Sequence, residues 1–133
     1  MAKAFVVDAV DRSAELLQRQ GRQAFAVLRD PLGPFFYQDA YVVVAASDGT
    51  LLLNPGFPSL EGRNLLQWPD PAARQTAAAA FAAVLRDGSV WTTYAWPRPN
   101  GSTVPEHKRT YLRSVRTASG ETLIVGSGVY SLP

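Results

Sequence analysis

The fold can be worked out from the stretch VWTTYAWPRPNGSTVPEHKRTYLRSVRTASGETLIVGSGVY, residues 90–130. From Val90 to Trp96 the chain alternates, so Val90, Thr92, Tyr94 and Trp96 share one face of a strand while Trp91, Thr93 and Ala95 share the other. Pro97, Pro99, Asn100-Gly101 and Pro105 mark a loop, after which Lys108 to Arg116 and Glu121 to Tyr130 read as two more strands joined around Ser119-Gly120. Links this short join antiparallel neighbours, because a parallel crossover needs a dozen residues or more.

Upstream, Tyr41 to Ala46 and Leu51 to Asn54 flank Asp48-Gly49, which predicts a hairpin with a two-residue turn. Asp70 suits a helix N-cap with Pro71 at the first position, Gly88 closes that helix, and its alanine-rich run from Ala72 to Ala83 suits close approach to a sheet. At the N-terminus Val6, Val10, Ala14, Leu17, Gly21, Ala24 and Leu28 recur at steps of three and four, the period of an amphipathic helix, with a break expected near Gly21. Asp30-Pro31-Leu32-Gly33-Pro34 then forbids further helix. The order is helix, two strands, helix, three strands. It predicts an α+β domain, a PAS-like antiparallel sheet of about five strands with a long N-terminal helix and an Ala-rich helix, both helices expected on one face. Residues 1–133 form one domain in this reading, 1–29 the helical segment and 30–133 the PAS-like part.

With 133 residues, 47% hydrophobic and 18% charged, the chain has enough apolar material for one sizeable core. Thirteen Lys and Arg against eleven Asp and Glu leave a formal charge of +2, so charge demands no nucleic-acid partner. The lack of cysteine excludes disulfides, thiolate metal sites and Cys nucleophiles, and leaves both a periplasmic and a cytoplasmic address open. No apolar run approaches the ~18 residues of a membrane span.

Catalytic patterns are missing. His107 is the single histidine and has only Glu106 beside it, so no metal is expected and an exposed strand residue is the plainer reading. Gly126-Ser127-Gly128 lies inside a strand rather than at the strand-to-helix turn a nucleophile elbow needs, and no glycine cluster opens a helix to cradle phosphate. The basic residues Lys108, Arg109, Arg113 and Arg116 read as a solvated strand face. No enzyme activity and no cofactor is therefore expected. What stands out is a group of aromatics with polar tips, Trp68, Trp91, Tyr94, Trp96, Tyr111 and Tyr130, suited either to a core or to a cavity for a small ligand with a polar head.

Read in order, these pieces resemble the single Cache domain, the extracytoplasmic ligand-sensing module of bacterial chemoreceptors and sensor kinases that also occurs free-standing. The resemblance runs through Gly33-Pro34-Phe35, Tyr41 to Val44 with Ser47 to Thr50, Asn54-Pro55 with Leu60 to Leu65, Val90 to Pro99, Lys108 to Tyr111 and Val125 to Tyr130. It implies a pocket on the sheet for small organic acids, of the acetate, propionate, lactate or pyruvate class, bound and not transformed. It also implies a periplasmic or extracytoplasmic address, with the export signal absent from this chain.

Carried over residue by residue, the resemblance makes Asn54, Tyr94, Trp96, Lys108 and Tyr111 the ligand-binding set. Asn54 stands where the family often has a histidine, Tyr94 and Trp96 are the pocket aromatics, Lys108 is the cation and Tyr111 completes its strand motif. Strict alternation places Lys108 and Tyr111 on opposite faces, so using both requires a bulge or a rim position for Lys108. Arg63 and Arg109 are the alternative cations. The competing expectation is a PAS-like interaction module with a filled sheet face, pairing with a second copy through the N-terminal helix.

Overall fold

The computed structural model describes residues 2–99 and 103–130. Helix α1 (Ala2–Gln20) passes through a 3-10 turn at Gly21–Ala24 into a short α2 (Phe25–Arg29). The break falls at Gly21, whose φ of 58° is a left-handed value that a glycine adopts without penalty. Val6, Val10, Ala14, Leu17, Ala24 and Leu28, the periodic positions, are all buried. Strands β1 (Val42–Ala46) and β2 (Leu51–Leu53) follow, then α3 (Pro71–Asp87), β3 (Ser89–Pro97), β4 (Pro105–Arg116) and β5 (Thr122–Tyr130). β4 starts three residues before the expected Lys108, and the Asn100-Gly101 part of the preceding loop lies outside the described residues.

The five strands form one antiparallel sheet in the order β2-β1-β5-β4-β3. The last strand of the chain is thus the central one. Its alternate residues Leu123 and Val125 join Val42, Val44 and Leu53 under α1, whereas Ile124 joins Ala45 and Leu112 under Ala80, Phe81 and Val84 of α3. The two helices therefore cover opposite faces, contrary to the single covered face expected from sequence. The reason is visible in β5, which is buried from Leu123 through Tyr130 on both faces, so one layer of helix would leave apolar surface in water.

The turn between β1 and β2 has three residues, between the hydrogen-bonded Ala46 and Thr50, rather than two: the Ala46 amide donates to the Thr50 carbonyl at 2.8 Å and the Gly49 amide donates back to Ala46 at 3.0 Å. Gly49, at φ 99°, occupies the left-handed position of that turn. The outer edge of β2 is covered by the chain's own loop: the Gly62 amide donates to the Leu51 carbonyl at 2.7 Å, and the Leu51 amide donates to Arg63 at 2.8 Å. That covering removes an exposed edge. α3 is capped as its sequence requires, the Asp70 carboxylate accepting from the Ala73 amide at 3.0 Å and Gly88 ending the helix at φ 87°. Among the described residues no helix is long and apolar enough to cross a membrane.

Candidate functional site

Register alone sets out a floor on the α3 side of the sheet. Tyr94, Lys108 and Tyr130 lie opposite one another across β3, β4 and β5. The next row is Thr92, Thr110 and Gly128, and the next is Val90, Leu112, Gly126 and Val43. The rows thus run from charged through small and polar to apolar. Gly126 and Gly128 keep the floor low: a Cβ at Gly128 would stand 2.5 Å from Thr110 Oγ1 and 2.9 Å from Lys108 Cε, and one at Gly126 would stand 2.5 Å from Leu112 Cδ2.

Above this floor α3 presents the small side chains of Ala73, Thr76, Ala77 and Ala80, and a cavity of about 380 Å³ lies between them and the sheet. Composition suggested close helix-to-sheet contact along this run. Close packing occurs only toward the C-terminal half, where Phe81 and Val84 fill the space. The sheet face is open, unlike the filled face of the competing expectation.

The loop after β2 supplies a roof. Phe57 meets Trp96 edge-on at 5.9 Å, Trp96 meets Trp68 at 5.9 Å and Tyr94 at 6.1 Å. Because β2 and β3 are opposite edges of the sheet, the contact between Phe57 and Trp96 ties the loop after β2 to the far edge of the face. Glu61 fastens the loop from within: Arg29 donates to both Glu61 oxygens at 2.7 and 3.1 Å, and the Asn54 backbone amide donates to Glu61 at 2.8 Å. Burial pushes the Glu61 carboxyl up, but the Arg29 and Asn54 hydrogen bonds outweigh it and hold the group below its ordinary value.

Lys108 is only 4% exposed. Its ammonium lies 4.6 Å from the ring centre of Tyr41 and 5.2 Å from that of Tyr130, and among the described residues no carboxylate pairs with it. Burial lowers its pKa from 10.5 to about 8, against the opposing pull of Asp39. Asp39 itself is bound to Arg98, which also holds Glu106 and stands 5.0 Å over the other cation-facing ring, Tyr130. The Tyr94 hydroxyl accepts from Thr110 Oγ1 at 3.1 Å, and burial raises its pKa more than that bond lowers it. Asn54, 4% exposed, uses its side-chain oxygen to accept from the Phe57 amide at 3.1 Å.

Asn54, Tyr94, Trp96 and Lys108 all line the cavity. Tyr111 does not. β4 pairs in continuous register with both neighbours, without the bulge that would bring Lys108 and Tyr111 to one face. Tyr111 instead packs against Trp91 at 5.2 Å beneath α1, so its place in the binding set is corrected. Arg109 shares that face, 5.5 Å from Trp91, and Arg63 lies 4.0 Å over Trp68, so neither alternative cation lines the cavity. Thr110, Trp68 and the small residues of α3 complete the lining and are missing from the set chosen by sequence. The signal for them was the pairing of two small-residue patterns, Gly126 and Gly128 at strand spacing with Ala73, Ala77 and Ala80 at helical spacing. Among the described residues no three His, Cys, Asp or Glu side chains gather to hold a metal.

The family model for the Cache domain matches residues 20–131. Among solved structures, one reported for carboxylic acid recognition by a Cache chemosensory domain superposes with a TM-score of 0.74 at 23% identity, covering 96% of this chain and 91% of that one. A periplasmic sensor domain of a chemotaxis protein gives 0.70 at 26% identity, covering 98% and 90%. A methyl-accepting chemotaxis protein from Vibrio parahaemolyticus gives 0.70 at 23%, covering 96% and 84%. No curated protein sequence matches. With the PAS-like sheet, the cavity on its α3 face and a family match over most of its length, the chain belongs to the Cache domain family of sensory ligand-binding domains.

Proposed function

We propose that the protein binds a small organic acid as its carboxylate at Lys108 and releases it unchanged. The observation that carries this is an ammonium group 4% exposed, bordering a cavity, with no carboxylate partner among the described residues. An uncompensated charge in such a place costs several kcal/mol, and an incoming carboxylate supplies the missing counter-charge. Tyr94 and Thr110 offer hydroxyls beside it, Asn54 an amide, and Trp96 a wall. The structural neighbour reported to recognise carboxylic acids supports the reading, and the neighbour described as periplasmic supports an extracytoplasmic address. Residues 1–133 act as one sensing unit, the helical segment 1–29 backing the sheet and 30–133 forming the site. Pairing of two copies through α1 would use its outward face, where Lys3, Asp8, Arg12 and Glu15 are exposed.

A thermal-shift and calorimetric series starting with acetate, propionate, lactate and pyruvate, and extending to ten-carbon acids, tests the proposal. Ligand at a hundred times its Kd stabilises the fold by ~2.7 kcal/mol. Absence of any shift across the series would refute it, as would undiminished binding in Lys108→Met.

A further inference from the structure

We propose that the acid carries an apolar tail of about five to eight carbons, lying between α3 and the sheet, and that two- and three-carbon acids underfill the site. This rests on the carboxylate reading above and concerns the other end of the same ligand. A water-sized group takes about 30 Å³, so a cavity of about 380 Å³ has room for roughly a dozen non-hydrogen atoms. Propionate has five. The remaining space lies away from Lys108, because each row of the floor advances along the strands by about 6.6 Å and changes in character as it goes. Beyond Thr110 the floor is Leu112, Val43 and Ile124, and the ceiling is Ala77, Ala80 and Phe81.

Those six side chains offer water no hydrogen bonds, so water held there is displaced favourably by methylene groups. Lys108 is the sole cation lining the cavity among the described residues, and the other charge at its border, Asp70, is negative. A second carboxylate on the tail would therefore enter unpaired, which selects monocarboxylates. A buried ammonium with no carboxylate partner among the described residues at one end and an alkyl surface at the other together describe a single amphipathic acid.

Isothermal titration with acetate, butanoate, hexanoate, octanoate and decanoate, together with 3-phenylpropanoate and hexanedioate, reads the tail directly. Each methylene buried should tighten one-to-one binding about fourfold up to about eight carbons, with no further gain beyond. Hexanedioate should bind at least tenfold more weakly than hexanoate. Ala77→Leu should weaken octanoate or 3-phenylpropanoate at least tenfold more than it weakens propionate, and an unaltered circular-dichroism spectrum and cooperative melt show that the variant folds. Tightest binding at two or three carbons would overturn the tail while leaving the carboxylate reading standing. Equal losses for propionate and octanoate in Ala77→Leu would also overturn it. Binding by none of the acids would instead refute the carboxylate reading itself, and the tail with it.

Discussion

Replacing Lys108 with methionine should strengthen the empty fold while abolishing recognition of the ligand. Burial brings the ammonium pKa from 10.5 to about 8, and every tenfold loss of proton affinity corresponds to ~1.4 kcal/mol, so keeping this charge inside costs the folded state about 3 kcal/mol at neutral pH. The sign follows from proton counts. Below pH 8 both folded and unfolded chains carry the proton and the full cost is present; between about 8 and 10.5 the unfolded chain binds more protons, so stability rises with pH until the cost is gone. Tyr41 and Tyr130, whose pKa values burial raises, act in the opposite direction once the unfolded tyrosines ionise near pH 10, so the clean window is pH 7 to 9.5. Methionine keeps much of the apolar stem and drops the charge, and should stabilise the unliganded protein by about 1 to 3 kcal/mol at pH 7, the gap closing as pH rises. Urea unfolding of both proteins at pH 7 and 9.5 measures this. Lys108 is one of the chain's two lysines, so an isotope-labelled lysine titration by NMR reads its pKa directly. A Lys108→Met protein less stable than the parent at pH 7, or a gap that ignores pH, would contradict a buried and uncompensated ammonium at this position.

Affinity for the acid should fall about tenfold per pH unit above 8, since only the protonated ammonium recognises it; calorimetry from pH 7 to 9.5 checks this. Tyr111→Phe should leave acid affinity unchanged within about twofold, because the ring lies beneath α1 on the far face of the sheet. Gly128→Ala should cost about 1 to 3 kcal/mol in denaturant unfolding, since its Cβ would stand 2.8 Å from the Arg109 carbonyl oxygen as well as against Lys108, and backbone cannot yield cheaply. Glu61→Gln should cost about 1 kcal/mol at pH 7 through the half-exposed Arg29 pair. Because the folded carboxyl sits below its ordinary value, that contribution is present above the unfolded pKa and lost as pH falls through the folded one, so the parent and variant should converge in acid unfolding.

The elements were legible in the residues alone, and four of the residues that line the cavity, Asn54, Tyr94, Trp96 and Lys108, through the family resemblance. Periodicity identified α1 with its break at Gly21, the Asp70 cap and Gly88 stop of α3, and the alternation that puts Tyr94 and Trp96 on one face, because these are local consequences of chain geometry. The same alternation already separated Lys108 from Tyr111, and the unbroken register of β4 shows that local rule holding where the motif pattern pointed otherwise. What depends on pairing across long separations came only with the assembled sheet. The last strand enters its centre, buries both its faces and so sends α1 and α3 to opposite sides. That single placement turns Gly126 and Gly128 into the floor of a cavity and the alanines of α3 into its ceiling. It also leaves Lys108 buried with no carboxylate partner among the described residues, a property no stretch of sequence carries, because burial belongs to the whole assembly of strands and not to any one of them.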